Sequence, residues 1–200
     1  MSSPAKPPYA HRPRPERAEE TQRLISDRLS DVERWSRGEN FSQTWSARAE
    51  MVARLIDPGL TVLDLGCGAN MDLEKALGPQ TCYIPADLVA RDTRTLVCDL
   101  NAGQTPEVEA DVVVMLGVIE YLHDPQAVLD RLARRYRRLI ATYTPVELNP
   151  QQDRRAHGWF NDLTSAGLVE MAIAAGFQLD AIVPFEVQRL YAFSREPTVP

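Results

Sequence analysis

The chain has 200 residues, 44% hydrophobic and 25% charged, the balance of a globular domain with a proper core. Its net charge of −6 has the wrong sign for gripping a nucleic acid backbone, and no apolar run reaches the about 18 residues of a membrane span. The N-terminus lacks a secretory apolar segment, and Cys67, Cys82 and Cys98 have no metal-ligand spacing, which predicts a reduced cytoplasmic protein.

Met1–Glu16 is rich in proline and poor in large apolar side chains, so 1–16 is expected to be a disordered leader. From Arg17 to Arg37, Leu24, Ile25, Leu29 and Val32 recur at helical spacing, and Gly38 is a natural stop. A second helix is expected from Thr44 to Ile56, ended by Asp57-Pro58-Gly59. Residues 17–57 thus form a helical cap that covers an edge or lids the site, on a core spanning 58–200. In that core Val62, Leu63 and Leu65 make a short buried strand, and Asp72–Leu77 opens a helix. Cys82–Asp87, Thr95–Cys98, Asp111–Leu116 and Leu139–Tyr143 read as strands, and Pro125–Tyr136 has helical periodicity. Thr164 caps a helix that runs to Ala175 before Gly176. Phe177–Val183 and Val187–Ser194 close as a hairpin about Pro184-Phe185-Glu186. Alternating strands and helices predict one α/β domain: a doubly wound, mostly parallel, seven-stranded sheet with an antiparallel last strand.

The chemistry starts at Thr61–Asn70. Gly66 and Gly68 let the backbone turn sharply and approach a ligand closely, at the strand edge where open α/β sheets bind. A dinucleotide site wants a third glycine, but Ala69, Asn70 and Met71 follow Gly68. Asp64, near the strand's end, would repel a pyrophosphate and suits a cationic amine or sulfonium. Asp87 lies about twenty residues further on, at the end of the second strand, where a carboxylate can accept both hydroxyls of a ribose.

The run Val62-Leu63-Asp64-Leu65-Gly66-Cys67-Gly68 resembles the first motif of the class I S-adenosylmethionine-dependent methyltransferases, with Asn70 where that family carries a further glycine. The resemblance implies a Rossmann-like fold, S-adenosylmethionine as cofactor and S-adenosylhomocysteine as product. It implies cofactor roles for Asp64, Gly66, Cys67 and Gly68, for Asp87 with Leu88 at the ribose, and for Asp99 with Leu100 at the adenine. Leu116-Gly117-Val118-Ile119-Glu120-Tyr121-Leu122 resembles the fourth motif, which places Leu116, Gly117 and Glu120 beside the methionine part. Arg48, on the helix before the first motif, stands where some members bring a cation to the cofactor's carboxylate; it also reads as a salt-bridged surface arginine. Leu163–Leu168 and Gly176-Phe177 are similar to the late segment of members acting on small molecules.

Methyl transfer needs alignment and water exclusion above all, and a hydroxyl or carboxyl acceptor also calls for a base near pH 7. His123, after the fourth strand, and His157, in a long aromatic loop, are the two candidates; a helix-start residue and a packed histidine are their plainer readings. Tyr143, Glu147 and Trp159 are candidates for the acceptor pocket. An Asn/Asp-Pro-Pro-aromatic motif is missing after the fourth strand, and no set of acids stands out as a metal site. The sequence therefore predicts metal-independent O- or N-methylation of a small metabolite, with no nucleic acid or membrane partner. The competing readings are a non-catalytic methyltransferase-like module working through a partner, and an NAD-binding oxidoreductase.

Overall fold

A computed structural model describes residues 7–42 and 45–196. Residues 1–6 of the expected leader and Thr44 lie outside them. Seven strands form one sheet: β1 (Thr61–Leu65), β2 (Cys82–Asp87), β3 (Leu96–Val97), β4 (Val112–Leu116), β5 (Arg138–Tyr143), β6 (Gln178–Phe185) and β7 (Gln188–Ser194). Their order is β3-β2-β1-β4-β5-β7-β6, parallel throughout except for β7, which runs antiparallel to both neighbours. Side-chain alternation splits β1 between two layers. Leu63 and Leu65 pack with Val113 and Met115 against α5 (Pro125–Arg135) and α6 (Ser165–Ala174). Val62 packs with Val112, Val114 and Ile140 against α3 (Ser46–Ala53) and α4 (Asp72–Ala76). Burial on both faces explains the continuous apolar runs of these strands.

The core elements fall where periodicity places them, with two local shifts. The third strand is two residues long rather than Thr95–Cys98. In the final hairpin Pro184 and Phe185 belong to β6, and the turn falls at Glu186, whose φ is 49°. Caps behave as the side chains dictate: Asp124 accepts from the Ala127 amide and Thr164 from the Gly167 amide.

The N-terminal part departs more. The helix expected over 17–37 is two helices, α1 (Arg14–Asp27) and α2 (Val32–Trp35). Arg28 at φ 53° ends the first, its amide and that of Leu29 bonding back to the Ile25 and Leu24 carbonyls, and Asp31 caps the second. The disordered leader is corrected over its described part. Tyr9–His11 form a 3-10 turn, α1 already starts at Arg14, and Tyr9 and Arg12 are buried. The proline-rich composition hid one aromatic anchor: the Tyr9 ring lies under the guanidinium of Arg34, and its hydroxyl meets Thr21 at 3.3 Å. The helix expected over 44–56 is confined to 46–53.

Leu132, on α5, is wholly buried against the sheet. Leu132→Ala should cost about 2–5 kcal/mol of unfolding free energy, read by urea titration.

Candidate active site

A cavity of about 340 Å³ opens at the carboxyl ends of β1, β2 and β4, roofed by side chains from residues 30–41, 45–49 and 157–160. Its floor is made by glycine turns. Gly66 and Gly68 have φ of 83° and 67° and Gly117 has 68°, conformations that favour glycine, and a Cβ on Gly117 would come 2.7 Å from Arg48 Nη1. The left-handed residue that follows the first turn is Met71, φ 46°, not Asn70.

Three charged side chains enter this floor from different elements. Asp64, on β1, is 1% exposed and accepts from the Tyr83 hydroxyl at 2.8 Å through Oδ2, while its Oδ1 has no partner. Glu120 is equally buried; Oε1 accepts the Thr144 amide at 2.9 Å and Oε2 has no partner. Arg48, on α3, lies beside Gly117 with Nη1 3.3 Å from Gln188 Oε1 and Nε unpartnered. Arg48 is thus a buried cavity residue and no surface arginine. Burial pushes the Asp64 carboxyl up to about 7, with the Tyr83 bond opposing, and pushes Glu120 up as well.

Asp87 and Asp99 also line the cavity, but protein donors already hold both oxygens of Asp87 and the Oδ1 of Asp99. Asp87 Oδ2 accepts the Gly68 amide at 2.8 Å, with Cys67 Sγ 3.9 Å away. Its Oδ1 accepts from Val89 N at 3.2 Å and from Arg91 Nη2 at 3.0 Å. Asp99 Oδ1 accepts from the Asn101 amide and, at 2.7 Å, from the Ser30 hydroxyl. Leu88, Leu100 and Leu116 complete that wall.

The other half is aromatic. Trp35 meets Tyr121 edge-on at 5.0 Å and tilts against Phe41 at 5.4 Å; Trp159 and Phe160 close the opposite side. His157 lines this half beside Trp159, its Nε2 engaged by the Gln152 side chain. Burial, then Arg17, Arg34 and Arg14, hold its pKa below 6.5.

Sequence reasoning missed Arg34, Trp35, Phe41, Trp45 and Arg91. The signal available was the crowding of tryptophan and phenylalanine into 35–45, which has no helical period to hide in a core.

Three expected site residues are elsewhere. The His123 ring stacks on Phe160 at 4.6 Å, with Nε2 3.1 Å from the Leu29 carbonyl, and does not line the cavity, because Asn101 holds the His123 backbone turned away. Tyr143 is fully buried under the sheet edge. Its hydroxyl donates to Asn161 at 2.7 Å and accepts from Arg154 and from the Leu163 amide. Glu147 is exposed and accepts the Ser165 amide at the start of α6. Among the described residues no cluster of three or more His, Cys, Asp or Glu could hold a metal, and no helix is long and apolar enough to cross a membrane.

A family model described as a methyltransferase domain matches residues 35–182. No curated protein matches the chain. Among solved structures, the chain is similar to CalO1, a methyltransferase in calicheamicin biosynthesis in its SAH-bound form. Identity is 22% and TM-score 0.64, over 79% of this chain and 56% of that one. It is similar to the Burkholderia thailandensis 1,6-didemethyltoxoflavin-N1-methyltransferase with its substrate and S-adenosylhomocysteine. Identity is 17% and TM-score 0.61, over 98% of this chain and 94% of that one. A third is NcsB1, an O-methyltransferase of neocarzinostatin biosynthesis with S-adenosylmethionine and 2-hydroxy-5-methyl naphthoic acid. Identity is 18% and TM-score 0.60, over 88% of this chain and 60% of that one. The chain therefore spans less than two thirds of the first and third; at these identities the likeness speaks to the fold.

The Asp64 carboxyl has a definite signature in stability. Its folded pKa, about 7, lies above the ordinary 3.8, so the folded state holds the proton more tightly. This group costs nothing below pH 3.8, and its destabilisation grows until pH passes 7. Asp64→Asn should therefore raise the Tm more at pH 8 than at pH 5, as thermal unfolding at both values would report.

Proposed function

Because the chain belongs to the methyltransferase-domain family, we propose that it moves a methyl group from S-adenosylmethionine to an oxygen or nitrogen of a small-molecule acceptor, without a metal ion. The observation that carries this reading is the set of unpartnered buried atoms Asp64 Oδ1, Glu120 Oε2 and Arg48 Nε around one cavity. A zwitterionic amino-acid group brings a carboxylate to the guanidinium and an ammonium to the two acids, so these residues fit the methionine end of the cofactor. Asp87 with Leu88 stands at the ribose, and Asp99 with Leu100 at the adenine. The S-adenosylhomocysteine bound by the calicheamicin and toxoflavin enzymes supports the same choice. The protein acts as one domain, a helical cap that takes in Tyr9 and the whole of α1 on a core over 58–200, with neither nucleic acid nor membrane as partner. A cytoplasmic setting belongs to the same reading, supported by the unpaired Cys67, Cys82 and Cys98.

Bound S-adenosylmethionine supplies an electrophilic methyl carbon whose sulfur leaves as a neutral thioether. The chain itself aligns, encloses and deprotonates. Arg48 and Glu120 fix the amino-acid end against Gly117, and the rings of Trp35, Tyr121 and Trp159 keep water from the acceptor. On methylation His157 would take the proton that the acceptor loses, at Nε2 once the acceptor displaces the Gln152 side chain from it. Its depressed pKa keeps it unprotonated at pH 7.

A second reading, a related module that binds without turnover, is favoured by one observation: Gly68, Val89 and Arg91 already occupy both oxygens of Asp87. Calorimetry separates the two. We expect S-adenosylmethionine and S-adenosylhomocysteine to bind and NAD not to; silence of both sulfur compounds at millimolar concentration sinks the enzyme reading. Arg48→Gln should weaken S-adenosylhomocysteine by at least about tenfold. His157→Gln should leave that affinity unchanged and lower turnover by roughly a hundredfold or more. With S-adenosylmethionine saturating, so that Asp64 and Glu120 are already engaged, kcat/KM for the acceptor should fall below pH 6.5 as His157 gains its proton, and the variant should lose that limb. Lost cofactor affinity in His157→Gln would remove His157 from the acceptor side.

A further inference from the structure

The acceptor half holds a cation that methyl transfer does not use. Arg34, on α2, is buried and lines the cavity. Its guanidinium carbon lies 3.8 Å from the centre of the Tyr9 ring, 4.3 Å from Trp35 and 5.4 Å from Tyr121. Aromatic rings stacked on its faces leave only the in-plane N–H edges for further bonding. One of these is spent, since Nη1 donates to the His157 carbonyl at 3.0 Å. Nε is buried and has no partner, and no carboxylate forms an ion pair with Arg34 among the described residues. The acid beside it, Asp31, turns its Oδ1 to the Arg34 backbone amide as the cap of α2. Gly158 keeps the guanidinium in place: at φ 82°, any Cβ there would strike Arg34 Nη1 and come 2.9 Å from the Tyr9 hydroxyl.

The free Nε–Nη2 edge is a planar fork, the shape that takes both oxygens of a carboxylate. Beside it Arg17 adds positive charge, its guanidinium carbon 5.5 Å from the centre of the same Tyr9 ring. The walls beside it are flat rings, Tyr121 and Trp159. We infer that the acceptor is a planar aromatic molecule carrying a carboxylate, which the Nε–Nη2 edge of Arg34 grips while its ring lies against the wall that Tyr121 and Trp159 make. This rests on the methyl-transfer reading and adds the substrate class to it. The anion completes a buried cation that has no ion-pair partner among the described residues, unlike Arg91, which Asp87 already pairs, and the ring replaces water against the aromatic walls.

The test compares salicylate with salicylamide, equal in shape and different in charge, on protein saturated with S-adenosylhomocysteine. Calorimetry, with tryptophan fluorescence as a second reading, gives both affinities. Salicylate should bind at least about tenfold more tightly than the amide. Arg34→Gln should bring the two together, and Arg34→Lys should keep part of the preference because it retains charge but loses the fork. Equal affinity of acid and amide for the unaltered protein overturns the inference, and that comparison requires no variant to fold. So does failure of both to bind while S-adenosylhomocysteine binds, an outcome that leaves methyl transfer standing. If S-adenosylhomocysteine itself does not bind, the methyl-transfer reading falls and takes this one with it.

Discussion

Incomplete pairing of buried charge organises this molecule. At the carboxyl ends of β1 and β4 the chain brings Asp64, Glu120 and Arg48 into one cavity and satisfies each of them only in part. A polar atom left unpaired away from water costs of the order of one to three kcal/mol, so such an arrangement persists only where the rest of the fold is well determined. Here the two packed faces of the sheet supply that determination. Leu63, Leu65, Val113 and Met115 on one side, and Val62, Val112 and Val114 on the other, are wholly buried. The strand ends cannot move to relieve the charge.

The carboxylate of Asp87 extends this constraint to the roof. It holds the glycine turn through Gly68 and holds Arg91 through a buried ion pair at 3.0 Å. Arg91 in turn donates to the Trp35 carbonyl at 2.8 Å and lies 4.7 Å from the centre of the Phe41 ring. Ser30 on Asp99 and the Leu29 carbonyl beside His123 add two more straps. The aromatic half is thus hung from the same strand ends that carry the acids, and the two halves of the cavity share one frame. Charge differs between them. The floor carries two acids around one arginine, whereas the roof carries Arg34 with its faces stacked and one edge free.

Much of the frame was legible in the chain, for reasons that differ by element. Val112–Leu116 could be bounded closely because burial on both faces demands an unbroken apolar run. The cap of α6 was legible because Thr164 bonds within its own turn. The N-terminal stretch was not, since Leu24, Ile25, Leu29 and Val32 keep a helical period across a break at Arg28. Tyr9 was lost in proline-rich composition, although a single aromatic ring suffices to anchor the segment on Arg34. His123, Tyr143 and Glu147 illustrate another limit. Each stands at a plausible place along the chain, and each is turned away by a bond to a distant residue: Leu29, Asn161 and Ser165.

The sequence by itself determined the strand-and-helix order, the glycine turn at Gly66–Gly68 and the acids at the strand ends, because all of these follow from neighbours within a few residues. Only the tertiary structure decided which of those acids keep a free oxygen. Asp64 and Glu120 each keep one, Asp87 has both held by Gly68, Val89 and Arg91, and Asp99 has its Oδ1 held by Asn101 and by the distant Ser30. It also decided that Arg34, inconspicuous in the chain, is buried in the wall of the aromatic half with its Nε unpartnered. Hydrogen-bond partners tens of residues apart are chosen by packing, and packing is a property of the folded whole.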